Sequence, residues 1–175
     1  HSQTLQSRSS QDFILDEPGL ELPKDEMFFT IDRVKYHGHD MSLSQVVPKT
    51  IYNRSAYTIV AETNYMNAYS FMTEKIVKPI LAERLFLVFA GQHYLHNLRS
   101  LGFKTFDGII DESYDNEPNM EERYRKIYEQ INYLFNTSQQ KILQQLEPIV
   151  SHNKQVMLST DWHGKFNQKL TKTIS

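Results

Sequence analysis

Cysteine is missing from all 175 residues. That excludes disulfides, thiolate metal sites and a cysteine nucleophile. It also fits a reducing compartment, so the expected location is cytoplasmic. Long apolar runs are missing too, and none approaches the length of a membrane span. An excess of either charge is lacking: 19 basic side chains face 21 acidic ones, for a net charge of −2. A nucleic-acid binder driven by backbone phosphates is therefore not expected. Any anion site must be local, built by a few groups in a cleft. The chain carries neither a glycine-rich dinucleotide fingerprint nor a GxxxxGK[ST] loop. It has no internal repeat and no recognisable interdomain linker.

Apolar residues make up 39% and charged residues 23% of the chain, an ordinary balance that one domain with a sizeable core would show. The opening HSQTLQSRSSQ is polar and lacks the apolar centre of a signal peptide. Residues 1–11 read as a disordered arm or an expression remnant, and 12–175 as a single domain. Residues 12–30 hold DEPGLELPKDE and read as loop, ending in a short strand, Met27 to Ile31. A short helix is expected around Ser44 to Val47, stopped near Pro48.

The middle of the chain is more specific. YTIVAETN, 57–64, reads as a buried strand ending at Glu62. Thr73 is a good N-cap, and Glu74 suits the positive end of the helix that follows. That helix should run to about Arg84, kinked at Pro79. LFLVFA, 85–90, shows no alternation, so both its faces should be buried, as in a parallel sheet covered by helices. HYLHNLRSLG reads as a helix closed by Gly102, and Phe103 to Ile110 as a third short strand. The expected fold class is therefore α/β: a Rossmann-like parallel sheet with flanking helices, with a βαβαβ core over 57–115. From Pro118 the pattern turns helical, with apolar positions at Ile127, Ile131 and Leu134, then Ile142, Leu143, Leu146 and Ile149. Residues 118–172 should form a helical tail packed back on the core.

In open α/β sheets, ligands bind beyond the C-terminal strand ends, near helix N-termini. Glu62 lies at such a strand end, and Thr73, Glu74 and Lys75 at the next helix start. Backbone donors and the Lys75 ammonium can hold phosphate, and the two carboxylates can accept from sugar hydroxyls. That combination suits a nucleotide diphosphate sugar. The plain alternative is a cap (Thr73), a dipole partner (Glu74) and a solvated cation (Lys75).

AETNYMNAYSFMTEKIVKPILAERLFLVFAG, followed by LRSLGFKTFDGIIDESYD over 98–115, resembles the donor-binding segment of fucosyltransferase-type glycosyltransferases. It is also similar to uncharacterised phage and bacterial proteins with the same ordered pattern. The likeness covers roughly residues 57–130. It implies one half of a GT-B fold, in which the C-terminal half holds the nucleotide sugar, GDP-linked or otherwise. Carried over by position, it makes Glu62, Asn64, Tyr69, Glu74 and Lys75 donor-site candidates, joined by Thr73 at the helix start and Gly91 after the strand as parts of the same pattern. Lys75 would meet the diphosphate, and Glu74 the ribose or sugar. The implied reaction is a metal-independent sugar transfer to an unknown acceptor, with no cofactor. A complete GT-B enzyme needs two such halves, and only residues 1–56 precede this one. The catalytic base therefore has no assigned residue. The rival expectation is a non-catalytic interaction module or fragment with a protein partner. A small nucleotide hydrolase is the third reading.

Other groups carry weaker chemistry. His37-Gly38-His39-Asp40 could ligate a metal or supply a general base, but reads better as a polar turn. His93 and His96 share a helix face, and His93 could touch a phosphate. Asp111, Glu112 and Asp115 form an acidic loop: paired carboxylates can do acid–base work and Glu112 or Ser113 could bind the donor, or else Asp115 or a neighbour caps the following helix. Arg123 and Arg125 read as solvated helix residues, and Trp162 as an anchor for the tail.

Overall fold

The structure is a computed structural model, and it describes residues 14–15, 20–21, 33–48, 52–66 and 69–165. The expected arm at 1–11 and the expected strand at Met27 to Ile31 lie outside the described residues. Two short strands, β1 (Ile14–Leu15) and β2 (Leu20–Glu21), fall where a loop was expected. Their partners show why. β2 joins the edge of an antiparallel hairpin formed by β3 (Arg33–Tyr36) and β4 (His39–Ser42), and β1 runs parallel to β5 (Val46–Val47). Pairing with distant residues, not local propensity, defines both. A 3-10 turn, Leu43–Gln45, stands where a helix to Val47 was expected. Val46 and Val47 are instead fully buried strand residues.

The central unit is a parallel pair, β6 (Tyr57–Ala61) and β7 (Leu85–Phe89), in register from Tyr57 opposite Leu85 to Ala61 opposite Phe89. Its crossover contains α1 (Glu74–Leu81). The Thr73 hydroxyl caps α1 by accepting from the Lys75 N–H at 3.2 Å. The helix continues through Pro79 but stops at Leu81, three residues short of expectation. Glu83, at φ 57°, reverses the chain: its N–H reaches the Ile80 carbonyl and the Arg84 N–H reaches that of Pro79. Those two bonds make a Schellman stop, with glutamate at the position glycine usually takes. β7 is buried from Leu85 to Val88, as its unbroken apolar run implies. β6 is not so covered: Ile59, at its centre, is 54% exposed.

After β7, α2 (Tyr94–Ser100) ends at Gly102, φ 103°, as its sequence indicates. The third strand expected within 103–110 does not form. Only one isolated bridge, Asp107 to Ile110, marks that segment. Side chains have taken the backbone groups that a neighbouring strand would need. The Asn153 amide accepts from the Lys104 N–H at 2.7 Å and donates to the Lys104 carbonyl at 2.8 Å. The Glu112 carboxylate accepts from the Phe106 N–H at 2.6 Å. The architecture is thus mixed α/β, with a two-stranded parallel sheet at its centre.

Two long helices, α3 (Met120–Asn136) and α4 (Gln139–Ser159), form the expected helical tail. Each lays one face on the core: Arg123, Ile127 and Leu134 from α3, and Ile142, Leu146, Val150 and Asn153 from α4. Leu143, expected on that face, is 57% exposed, because it sits one residue off the buried stripe. Trp162 stacks on Phe103 at 5.6 Å and donates to the Met157 carbonyl, anchoring the end of α4. Residues 166–172 of the tail lie outside the described residues. No helix among the described residues is long and apolar enough to cross a membrane.

Candidate functional site

β6 and β7 end side by side, and the chain leaves both ends as loop. The 62–73 loop connects β6 to α1; Ala90 to His93 connect β7 to α2. The Gly91 N–H donates to the Asn64 carbonyl at 3.3 Å and ties the two exits together. Seven of the eight sequence-derived candidates meet at this corner.

Glu62 is buried there. Its carboxylate accepts from the Tyr94 hydroxyl at 2.7 Å, from the Thr73 hydroxyl at 2.7 Å and from the Thr73 N–H at 3.3 Å. Burial first, and then the Glu62 carboxylate, raise the Tyr94 hydroxyl far above the ordinary tyrosine range. Glu62 therefore locks the cap of α1 to the first residue of α2. As placed, its oxygens face the protein's own donors.

Glu74 and Lys75 are half-exposed at the start of α1, with Lys75 Nζ 4.0 Å from Glu74 Oε1 and 3.2 Å from Thr63 Oγ1. Lys78 sits one turn further along and donates to the Leu43 carbonyl at 2.8 Å. Burial lowers its ammonium, more than the Glu74 carboxylate restores. Asn64 Nδ2 closes the loop on itself by donating to the Tyr69 carbonyl at 2.8 Å. The loop shows aromatic faces to solvent: Tyr65, Tyr69 and Phe71 are 39%, 79% and 63% exposed. The corner thus offers a cation, helix-start N–H groups, a carboxylate and flat apolar faces. It can hold an anion that is joined to a planar or polyhydroxylated group.

Glu112 belongs elsewhere. It is buried and accepts from Thr105, Phe106 and Arg99, and no hydrogen bond or ion pair joins it to the other seven. Burial pushes its carboxyl up, against the opposing pull of the Thr105 hydroxyl, the Phe106 N–H and the Arg99 guanidinium. The sign follows from linkage. A folded carboxyl that holds its proton more tightly than the unfolded chain contributes stability below the unfolded value, and that stability is lost as pH rises through the folded one. Glu112→Gln removes this titration. Urea midpoints of the two proteins, measured from pH 4 upward, should differ by an amount that changes with pH in that window. A constant difference would show that Glu112 titrates alike folded and unfolded.

Asp115 caps a helix, but the preceding one, and across space. Its two carboxylate oxygens accept from the Leu95 and His96 N–H groups at 2.8 and 2.9 Å. The following helix, α3, takes its cap from Asn119. A carboxylate thus already fills the N-terminus of α2, where His93 could have met a phosphate. His37 and Gly38, at φ 46° and 79°, form the tight turn of the β3–β4 hairpin. Among the described residues, no three histidine or acidic side chains are grouped to hold a metal.

No family model, curated protein or solved structure matches the chain.

Two contributors to the corner, Tyr94 and Arg123, and one group that holds the 103–106 segment, Asn153, escape a reading by residue type. Arg123 is a correction to the expectation of a solvated residue, since it is 3% exposed. The signal was present. Arg123 lies four residues before Ile127, and Asn153 seven after Leu146, so both continue the buried stripes of their helices. Arg125, by contrast, is exposed and pairs with Glu122 and Glu129.

Proposed function

We propose that the β6–α1 corner binds a nucleotide diphosphate sugar and that the protein is a glycosyltransferase-like domain of Rossmann type, related to the donor half of a GT-B enzyme. The observation that carries this reading is the placement of Lys75. Its ammonium stands beside the Thr73-capped start of an eight-residue helix, directly beyond the C-terminal end of a parallel strand. Cationic charge and helix-start N–H groups there favour a diphosphate. Glu74 is exposed enough to accept from ribose or sugar hydroxyls. The same groups would stabilise a departing diphosphate electrostatically.

Titration calorimetry with GDP, UDP and dTDP tests this. One of them should bind, and Lys75→Ala should weaken it at least tenfold, about 1.4 kcal/mol. Glu74→Ala should weaken it too, without changing the melting temperature by more than a degree or two. A folded protein that binds none of the three overturns the reading.

A second reading, a binding module without catalysis, has one observation in its favour. Glu62 and Glu112, the two buried carboxylates among the donor-site candidates, are both spent on internal donors. Binding without turnover of any nucleotide sugar would select it.

A further inference from the structure

Arg123 is the least expected group near this corner. It projects from the first turn of α3 and is 3% exposed. Its Nε donates to the Ala90 carbonyl at 3.0 Å, its Nη1 to that of Glu117 at 2.6 Å and its Nη2 to that of Tyr65 at 2.9 Å. No carboxylate pairs with it among the described residues. Burying a guanidinium without a counter-charge is costly, so the geometry that it secures must matter to the fold or to a ligand.

That geometry is specific. Ala90 follows β7, and Tyr65 lies in the loop after β6. One planar fork therefore holds both strand exits to the start of α3. The next residue reinforces the hold. The Tyr124 ring lies 6.2 Å from the Tyr65 ring and meets Phe89 edge-on at 4.8 Å. Tyr65 is gripped by its carbonyl and by its ring, both from α3. Beyond it, the loop carries the exposed faces of Tyr69 and Phe71.

We infer that Arg123 is a positioning residue that presents the exposed rings of Tyr65, Tyr69 and Phe71 to the nucleoside half of the ligand, while Lys75 and the start of α1 take the diphosphate. This rests on the nucleotide reading above. Exposed aromatic faces stack on bases, and a stacking surface on a loop is useful only when the loop is held. A lysine in place of Arg123 keeps the charge but cannot reach three carbonyls on separate segments.

The test compares GDP (or UDP or dTDP, where that is the one that binds) with inorganic pyrophosphate on the full chain and on Arg123→Lys. In the unmodified protein both should bind, and GDP alone should slow amide exchange at 64–66 and 69–72. In Arg123→Lys, GDP affinity should fall at least tenfold while pyrophosphate affinity changes less than twofold. Exchange at 64–66 and 69–72 in the ligand-free variant should quicken, with β7 unchanged. Equal losses for both ligands, or unchanged exchange in the loop, overturn the inference. If Arg123→Lys does not fold, the unmodified protein decides: loop protection by pyrophosphate as strong as by GDP also overturns it. Failure of the unmodified protein to bind GDP, UDP or dTDP sinks the nucleotide reading instead, and unchanged loop exchange in the ligand-free variant then overturns the clamp on its own.

Discussion

Glu62→Ala should lower stability by about 3 kcal/mol. Three hydrogen bonds end on this carboxylate, and bonds to a charged group are worth about 1.5–3 kcal/mol each. Alanine also removes a buried charge, which returns part of the sum. The loss should appear as a fall of roughly 6–12 °C in melting temperature, at about 2–4 °C per kcal/mol for a chain of this size. The buried Tyr94 hydroxyl loses its acceptor in this variant. Glu62→Gln should cost less, about 1 kcal/mol, since the amide oxygen still accepts and the two hydroxyls can reorient. Combining Glu62→Ala with Tyr94→Phe should cost clearly less than the sum of the single changes, because the two share a bond. The opposite pattern would reassign Glu62: stability untouched but nucleotide affinity lost would make it a ligand contact.

Asn153→Leu should cost about 2–3 kcal/mol, although leucine has the same number of side-chain heavy atoms, branched alike, and suits a helix better. The side-chain amide at this position replaces a strand. It meets both the N–H and the carbonyl of Lys104, and an apolar residue leaves both unpaired at a partly buried place. Asn153→Asp is the sharper probe. A carboxylate still accepts from the Lys104 N–H but faces the Lys104 carbonyl with a second acceptor, so it should destabilise at least as much as leucine above pH 5. Urea denaturation measures the cost, and amide exchange at Lys104 locates it. A leucine variant as stable as the parent would mean that water satisfies Lys104 without Asn153.

These two residues also show what could be read without coordinates. Strands β6 and β7, helix α1 with its Thr73 cap, and the stop at Gly102 follow from local pattern, because each is determined by neighbours in sequence. The error at 103–110 has the opposite origin. Its apolar residues do suit a strand, but the partner is a side chain 49 positions away. Residue type alone does not reveal that an asparagine on a helix is buried; its place in the stripe does. The site divides in the same way. Lys75 and Glu74 stand where a helix start must place them. Glu62 was legible as a strand-end acid, but its engagement with Tyr94 depends on how α2 docks. Arg123 reads as solvated because arginine is usually outside, and only its position four residues before Ile127 points to the burial that the structure shows.

The reach of α4 has a consequence for how the chain is made. Asn153 holds Lys104, His152 meets the Gly102 carbonyl, and Lys154 pairs with Glu83, 71 residues earlier. A nascent chain that has emerged only as far as α3 already contains both parallel strands, and Glu112 for the Phe106 N–H, yet it lacks the groups that close Gly102 and Lys104. Until the middle of α4 leaves the ribosome, that stretch offers bare N–H and carbonyl groups beside an apolar core, which is a template for pairing with another chain. Free fragments ending near residue 140 should therefore bind chaperones or aggregate, and fragments extended past 154 should not.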